Sequence, residues 1–400
     1  MKRWPGTTGA ADWTVLEGDR SHATIVARHY LSRLVVRLHC QHGIITGVQP
    51  LVDDLPVDHW IAPGLLDVQI NGFAGIDFKA RELTREDLHH AVRALRKAGC
   101  LRFLAVIMTD RWETMLARLR RLRTLRSDSP VLQRAIAGWH VEGPFLSSRP
   151  GFHGAHDPVC MIDPKPRHIR ELRATAGKDL VLLTLAPERA GAIEAIALAT
   201  SLGMRVSLGH TDASADTIQR ALTAGATGFT HLGNGCPQAL DRHDNILWRV
   251  FEAGLPMVSL IPDEVHVSPA LFRLAHRLLP AEGVIYTSDA MSAAGSAPGT
   301  YGLGRMRLTV GADQVVHLPG QPYFAGSALR PVDGVWRAAA MTECAWQTCW
   351  RRFSQLPADW LGIPWGLSVG APADFCLMPI DDEGNPRGLR VFVNGVESLG

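Results

Sequence analysis

The sequence predicts an α/β protein: a closed (β/α)8 TIM-like barrel with a small β domain built from both chain ends. Three observations predict it. Across residues 61–362, short apolar runs alternate with amphipathic helical patterns, the mark of βα units and a parallel sheet. The runs that qualify as strands number eight, as a closed barrel requires. Both ends of the chain, unlike its middle, read as short alternating β segments.

Residues 1–20 carry Gly, Thr and Asp with little periodicity, so a loose, peripheral N-terminus is expected. Residues 24–48 read as short strands with a turn at His42-Gly43. The barrel strands are expected at 65–70, 102–107, 135–140, 180–185, 205–208, 228–230, 257–261 and 283–287. Segments 373–379 and 389–396 return to the alternating pattern. The expected division is 1–60 together with 363–400 as the small β domain, and 61–362 as the barrel.

Composition sets the class. An apolar fraction of 46% and a charged fraction of 20% over 400 residues suit a globular protein with a sizeable core. A net charge of +2 argues against a polyanionic partner. Helix 111–126 carries six arginines, yet Trp112, Met115, Leu119 and Leu122 recur at helical spacing. An outer barrel helix with a charged, solvated face is therefore expected, not a nucleic-acid element. The basic start has no apolar run behind it, and nothing approaches the ~18 consecutive apolar residues of a membrane span. Seven scattered cysteines without a C-x-x-C pair predict free thiols in a reducing cytoplasm.

The chemistry concentrates in RVSLGHTDASADTIQRALTAGATGFTHLGNG, residues 205–235. It reads as two strand-plus-loop units with a helix between them, Asp212 or Ser214 capping the helix start and Gly225 stopping it. His210 and His231 each follow a strand directly. On neighbouring parallel strands, two such imidazoles converge on one metal ion. Other predicted strands also end in polar residues. Gln69-x-Asn71 stands where an H-x-H pair often seats a metal, and neutral amides bind transition metals poorly. Glu142 ends GWHVEGPF, and His140 shares its face two residues earlier, where a packed or hydrogen-bonded histidine is expected. Asp263 and His266 lie in PDEVHV, and Asp289 in TSDA.

The phrases PGLLDVQINGFAGIDF, HVEGPF, GAHDP, TLAPE, SLGHTDAS, THLGNG, PDEVHV, TSDAM and FAGSAL follow in this order. Together they resemble the N-acetylglucosamine-6-phosphate deacetylases of the amidohydrolase superfamily, from about residue 26 to residue 396. The resemblance implies a barrel with a small β-sandwich from both termini, usually as a homodimer. Its metal ligands fall on Glu142, His210 and His231, leaving a position for water on one Zn²⁺ or Fe²⁺ per subunit. Gln69 and Asn71 replace the pair that holds a second ion in two-metal relatives. Asp289 matches the family's general base and acid; the alternative is a strand-end Asp capping a helix from Met291 onward. A metal lowers the pKa of water to about 7, so a nearby carboxylate accepts its proton and returns it to the departing nitrogen. His156 resembles the histidine that polarises the substrate carbonyl, with His153 a competitor in the same loop. His266 looks like a substrate contact, and Gln69 is also placed among the substrate-side residues.

Two departures matter. After THL the family carries an aromatic residue and Asn-Ala-Met, where this chain has Gly233-Asn234-Gly235-Cys236. Asn234 and Gly235 are nonetheless expected to hold the sugar phosphate through that turn. The family's Arg-Glu-Pro-Gly phrase is missing, leaving Arg242 in DRHDN either as the phosphate fork or as an ion-pair partner of Asp241 or Asp244. The leading expectation is a metal-dependent deacetylase of a small-molecule amino sugar. The alternatives are an unphosphorylated or different N-acyl substrate, a cyclic-amide hydrolase, and an inactive sugar-binding barrel.

Overall fold

The computed structural model describes residues 22–51, 57–304, 306–317 and 326–398. The expected loose stretch 1–20 lies outside them, as do Phe324 and Ala325 of the FAGSAL phrase. Eight strands form one sheet and pair parallel in chain order: Leu65–Ile70, Cys100–Met108, Ile136–Glu142, Leu180–Leu185, Arg205–Leu208, Gly228–Phe229, Met257–Leu260 and Val284–Tyr286. Each overlaps an expected strand. Their residues are nearly all buried, because helices cover the outside and side chains fill the inside.

Closure of the barrel rests on Asp67. Its carboxylate accepts from Thr287 Oγ1 at 2.5 Å, Ser288 Oγ at 2.6 Å and Ser288 N at 2.9 Å, tying the first strand to the end of the last. A parallel bridge from Ile70 to Ala290 completes the seam. Burial pushes the Asp67 carboxyl up to about 6, against the pull of these donors.

The two chain ends meet in a seven-stranded sheet. Strand His59–Pro63 pairs antiparallel with Phe375–Pro379 and parallel with His22–His29. Two hairpins turn where His42-Gly43 and Asn394-Gly395 hold φ values of +50°, +76°, +58° and +75°, as a two-residue primed turn requires. Gly64 alone separates this sheet from the first barrel strand. That joint is gripped by Trp350 and Trp365, whose indole N–H groups donate to the Pro63 and Gly64 carbonyls at 2.8 Å.

The arginine-bearing helix runs Trp112–Ser127 and buries Trp112, Met115, Leu116, Leu119 and Leu122. Its Arg118 pairs with Asp110, and Arg123 and Arg126 both pair with Asp179. Much of the cationic face is thus neutralised locally. The helix expected between the two site histidines runs Ala215–Thr223, with Ser214 accepting from Thr217 N as its cap. No described helix is long and apolar enough to cross a membrane. Strands Gly299–Leu303, Met306–Val310 and Val316–His317 add a three-stranded sheet after the last barrel strand, which the sequence pattern did not reveal. It packs Leu303 and Leu308 on Met291 and Ala293, beside the barrel's C-terminal rim.

Candidate metal centre

Glu142 is the last residue of the third barrel strand, while His210 and His231 follow the fifth and sixth. All three side chains meet at the C-terminal rim of the barrel. His231 Nε2 lies 2.8 Å from Glu142 Oε1, and His210 Nε2 lies 3.3 Å from the same oxygen. One ligand atom from each falls within 4.8 Å of the others, and all three residues are buried. Among the described residues this is the one group of its kind.

The backbone at these positions is unusual. His210, His231 and Asp289 hold φ of +50°, +35° and +49°, a left-handed region that non-glycine residues adopt at a cost of about 1–3 kcal/mol. Each sits where the chain turns out of a barrel strand, and the turn aims the side chain across the barrel mouth. No helix starts at Met291, so Asp289 is not a helix cap.

Below the rim, a buried polar layer locks the strands. His140 Nδ1 meets the Val68 carbonyl at 2.9 Å and Nε2 meets Thr184 Oγ1 at 2.7 Å, so it is a hydrogen-bonded core histidine. The layer continues from Thr184 to Thr230 and Ser207 through hydroxyl contacts of 2.8 Å. Gln69 is fully buried behind Glu142, its Nε2 donating to Oε1 at 3.1 Å, and it does not line the pocket.

The pocket above the cluster is lined by Asn71, Met108, His156, Asn234, Asp289 and Leu303 together with the three clustered residues. Asn71 Nδ2 donates to Asp289 Oδ1 at 2.8 Å, and Asn234 Nδ2 reaches Oδ2 at 3.4 Å. His156 is buried, its ring 4.6 Å from that of His210 and its Nε2 3.6 Å from Glu142 Oε2. His153 instead bonds the neighbouring Gly154 carbonyl in an exposed loop, and is not a lining residue. Thr109 holds His156 Nδ1 at 2.8 Å, a role its place after the second strand could have suggested. Lys79 also escaped sequence reasoning; its Nζ contacts Met108 Sδ at 3.0 Å at the pocket edge.

The remaining expected residues lie outside the pocket lining. Gly235 packs on the His210 ring so closely that a Cβ there would lie 2.8 Å from Nδ1. His266 pairs with Asp263 at 2.6 Å and is not in the pocket lining. Arg242 is exposed and donates to His243 Nε2 at 3.0 Å, with no ion pair to Asp241 or Asp244 among the described residues. Asp244 is taken by Arg249, and Asp241 caps its own loop through the His243 and Asp244 N–H groups.

Charge fits a cation. Burial opposes it, yet the facing imidazoles of His156, His210 and His231 hold Glu142 well below the usual carboxylate range. Burial drives His156 down to about 4 and pushes Asp289 up to about 8, the Glu142 charge reinforcing the latter. Two buried atoms at the site, His231 Nδ1 and Gln69 Oε1, have no hydrogen-bond partner. One carboxylate and two imidazoles, facing inward, are a donor set suited to Zn²⁺ or Fe²⁺ with a position left open.

A parallel barrel with acid and histidine side chains converging at its C-terminal rim defines a hydrolase of the amidohydrolase class. No family model matches the chain. Individual relatives do: it is 31% identical to mouse N-acetylglucosamine-6-phosphate deacetylase over 330 residues, covering 80% of this chain and 79% of that one. The Vibrio furnissii enzyme of the same name is 30% identical over 329 residues, covering 82% and 80%. An alanine mutant of the Mycobacterium smegmatis deacetylase, solved with N-acetyl-D-glucosamine-6-phosphate, superposes with a TM-score of 0.83 at 28% identity, covering 94% of this chain and 99% of that one. The chain belongs to the N-acetylglucosamine-6-phosphate deacetylase family.

Proposed function

We propose that this protein hydrolyses the amide of N-acetylglucosamine 6-phosphate, giving glucosamine 6-phosphate and acetate. The observation that carries the proposal is the meeting of Glu142, His210 and His231 at one rim with Asp289 on the same pocket, in a chain of this family. Glu142, His210 and His231 would hold one divalent ion per subunit, Zn²⁺ or Fe²⁺. When bound, that ion would polarise the amide carbonyl and acidify water.

The protein's own residues supply the rest. Asp289 takes the proton of the attacking water and hands it to the departing nitrogen, which would otherwise leave as an amine anion. Burial and the Glu142 charge raise its pKa while no cation is present; a divalent ion at the site would lower it toward the ionised form that the first step needs. Asn71 aims the carboxylate, and Gln69 braces Glu142 from behind. His156, held at Nδ1 by Thr109, presents Nε2 to the substrate carbonyl. In this reading Asn234, the Gly235 turn, Arg242 and His266 form the sugar-phosphate side. A cytoplasmic location and a homodimeric assembly belong to the same reading.

The test is metal analysis of purified protein together with acetate release from phosphorylated and unphosphorylated N-acetyl sugars. About one divalent ion per chain and a clear preference for the 6-phosphate are expected. Equal turnover of the unphosphorylated sugar would remove the phosphate from the reading, and absence of acetate release would end it.

A further inference from the structure

On the face of the barrel opposite the metal centre, a groove of about 600 Å³ opens between the barrel and the terminal sheet. Arg96, Arg102 and Arg134 line it, with Asn394 and Glu397 on the sheet side. Arg102 lies near the start of strand Cys100–Met108, whose far end, Met108, lines the catalytic pocket. Six residues of extended strand span roughly 20 Å, so the two sites are separate.

The acids around the groove are already engaged. Asp374 is buried and accepts from Arg134 Nη1 at 3.0 and 3.1 Å and from Asn394 N at 2.9 Å. Glu397 is forked by Arg390 at 2.6 and 2.8 Å. Arg96 and Arg102 have neither an ion pair nor a hydrogen-bond partner among the described residues, and the Nε of each is buried. Arg102 is held in place all the same: its guanidinium lies 5.1 Å above the Trp365 ring, which is anchored to Gly64. Burial lowers the pKa of both Arg96 and Arg102; Asp374 attracts each and partly offsets this, while Arg134 repels each. Unmet guanidinium donors in a preformed groove are the recognition chemistry for phosphate or carboxylate oxygens.

We propose that this groove binds a small multivalent oxyanion through Arg96 and Arg102, with Arg134 as a third cation, independently of the catalytic site. An occupant there bridges the second barrel strand and the terminal sheet, and so stabilises their joint.

Isothermal titration of the metal-loaded protein with glycerate 2,3-bisphosphate, and separately with sulfate at matched ionic strength, tests the site. Saturable binding of one bisphosphate per chain is expected, with sulfate weaker and a rise in melting temperature. R96Q/R102Q should weaken binding at least tenfold, whereas R93Q, which removes an exposed arginine paired with Glu86, should not. H156Q, in the catalytic pocket, should leave it intact. If the double variant does not fold, R96Q and R102Q are measured singly, each expected to weaken binding at least threefold. Absence of saturable binding, binding retained in the arginine variants, or equal loss in R93Q or H156Q would overturn the proposal.

Discussion

His140 offers a stability prediction whose size follows from the structure. It is fully buried beneath the metal centre, with both ring nitrogens bonded inside the barrel. Burial lowers its pKa from 6.5 to about 4. Between those values the unfolded chain binds a proton that the folded chain refuses. The stability tied to neutral His140 is therefore present above pH 6.5 and lost as pH falls toward 4. With those two values the loss is close to nil at pH 7 and about 2 kcal/mol at pH 5. The variant His140→Gln keeps polar atoms in the layer but cannot titrate. At pH 7 it should be less stable by about 1–3 kcal/mol, through imperfect replacement of two buried hydrogen bonds. At pH 5 that gap should narrow by about 2 kcal/mol. Denaturant unfolding of both metal-free proteins by circular dichroism measures it, provided each shows a single transition. Other buried histidines titrate in both proteins and cancel in the difference. A gap as wide at pH 5 as at pH 7 would refute the reasoning.

Four further outcomes are expected. Asp289→Asn should lower kcat by about 10²- to 10⁴-fold while metal content by elemental analysis stays unchanged. Glu142→Gln should instead lose metal, read as a stoichiometry well below that of the parent after dialysis, because a neutral amide is a poor ligand. His156→Gln should lower kcat by about 10²-fold or more, whereas His153→Gln should stay within about twofold, since His156 alone of the two reaches the pocket. Asp67→Asn should destabilise the barrel by about 2–4 kcal/mol, seen as a lower melting temperature, because an amide cannot accept from Thr287 and Ser288 together.

The barrel was legible because burial on both faces leaves plain apolar runs such as LVLLTL, and because most of the runs lead into polar residues at the rim. The terminal sheet was legible from alternation and two turn dipeptides. What pairs its ends was not, since strand partners far apart in the chain leave no local mark. The strands Gly299–Leu303 and Met306–Val310 were missed for another reason: the first is mostly exposed, so GTYGL carries no apolar signal. At the site, residue types and strand-end positions located Glu142, His210, His231 and Asp289. They did not reveal that Gln69 serves the carboxylate from behind, that Thr109 chooses the orientation of His156, or that Lys79 borders the pocket. Each of those depends on contacts between segments far apart in the chain.

The left-handed backbone at His210, His231 and Asp289 gives these gaps a common physical origin. A strand continuing in extended conformation would send successive side chains alternately into the barrel and out toward the helices. Turning left-handed at the strand end lets each of these residues leave that alternation and lean across the mouth. The cost is met by neighbours that over-determine each turn. Ser259 Oγ accepts from His231 N at 2.7 Å, the Phe152 carbonyl holds His210 Nδ1 at 2.8 Å, and Asn71 holds Asp289. Three strained turns converging on one pocket, each braced from a distant segment of the chain, are hard to account for by packing alone. The Ser259, Phe152 and Asn71 contacts hold the site's donor atoms toward a common centre before any ligand arrives.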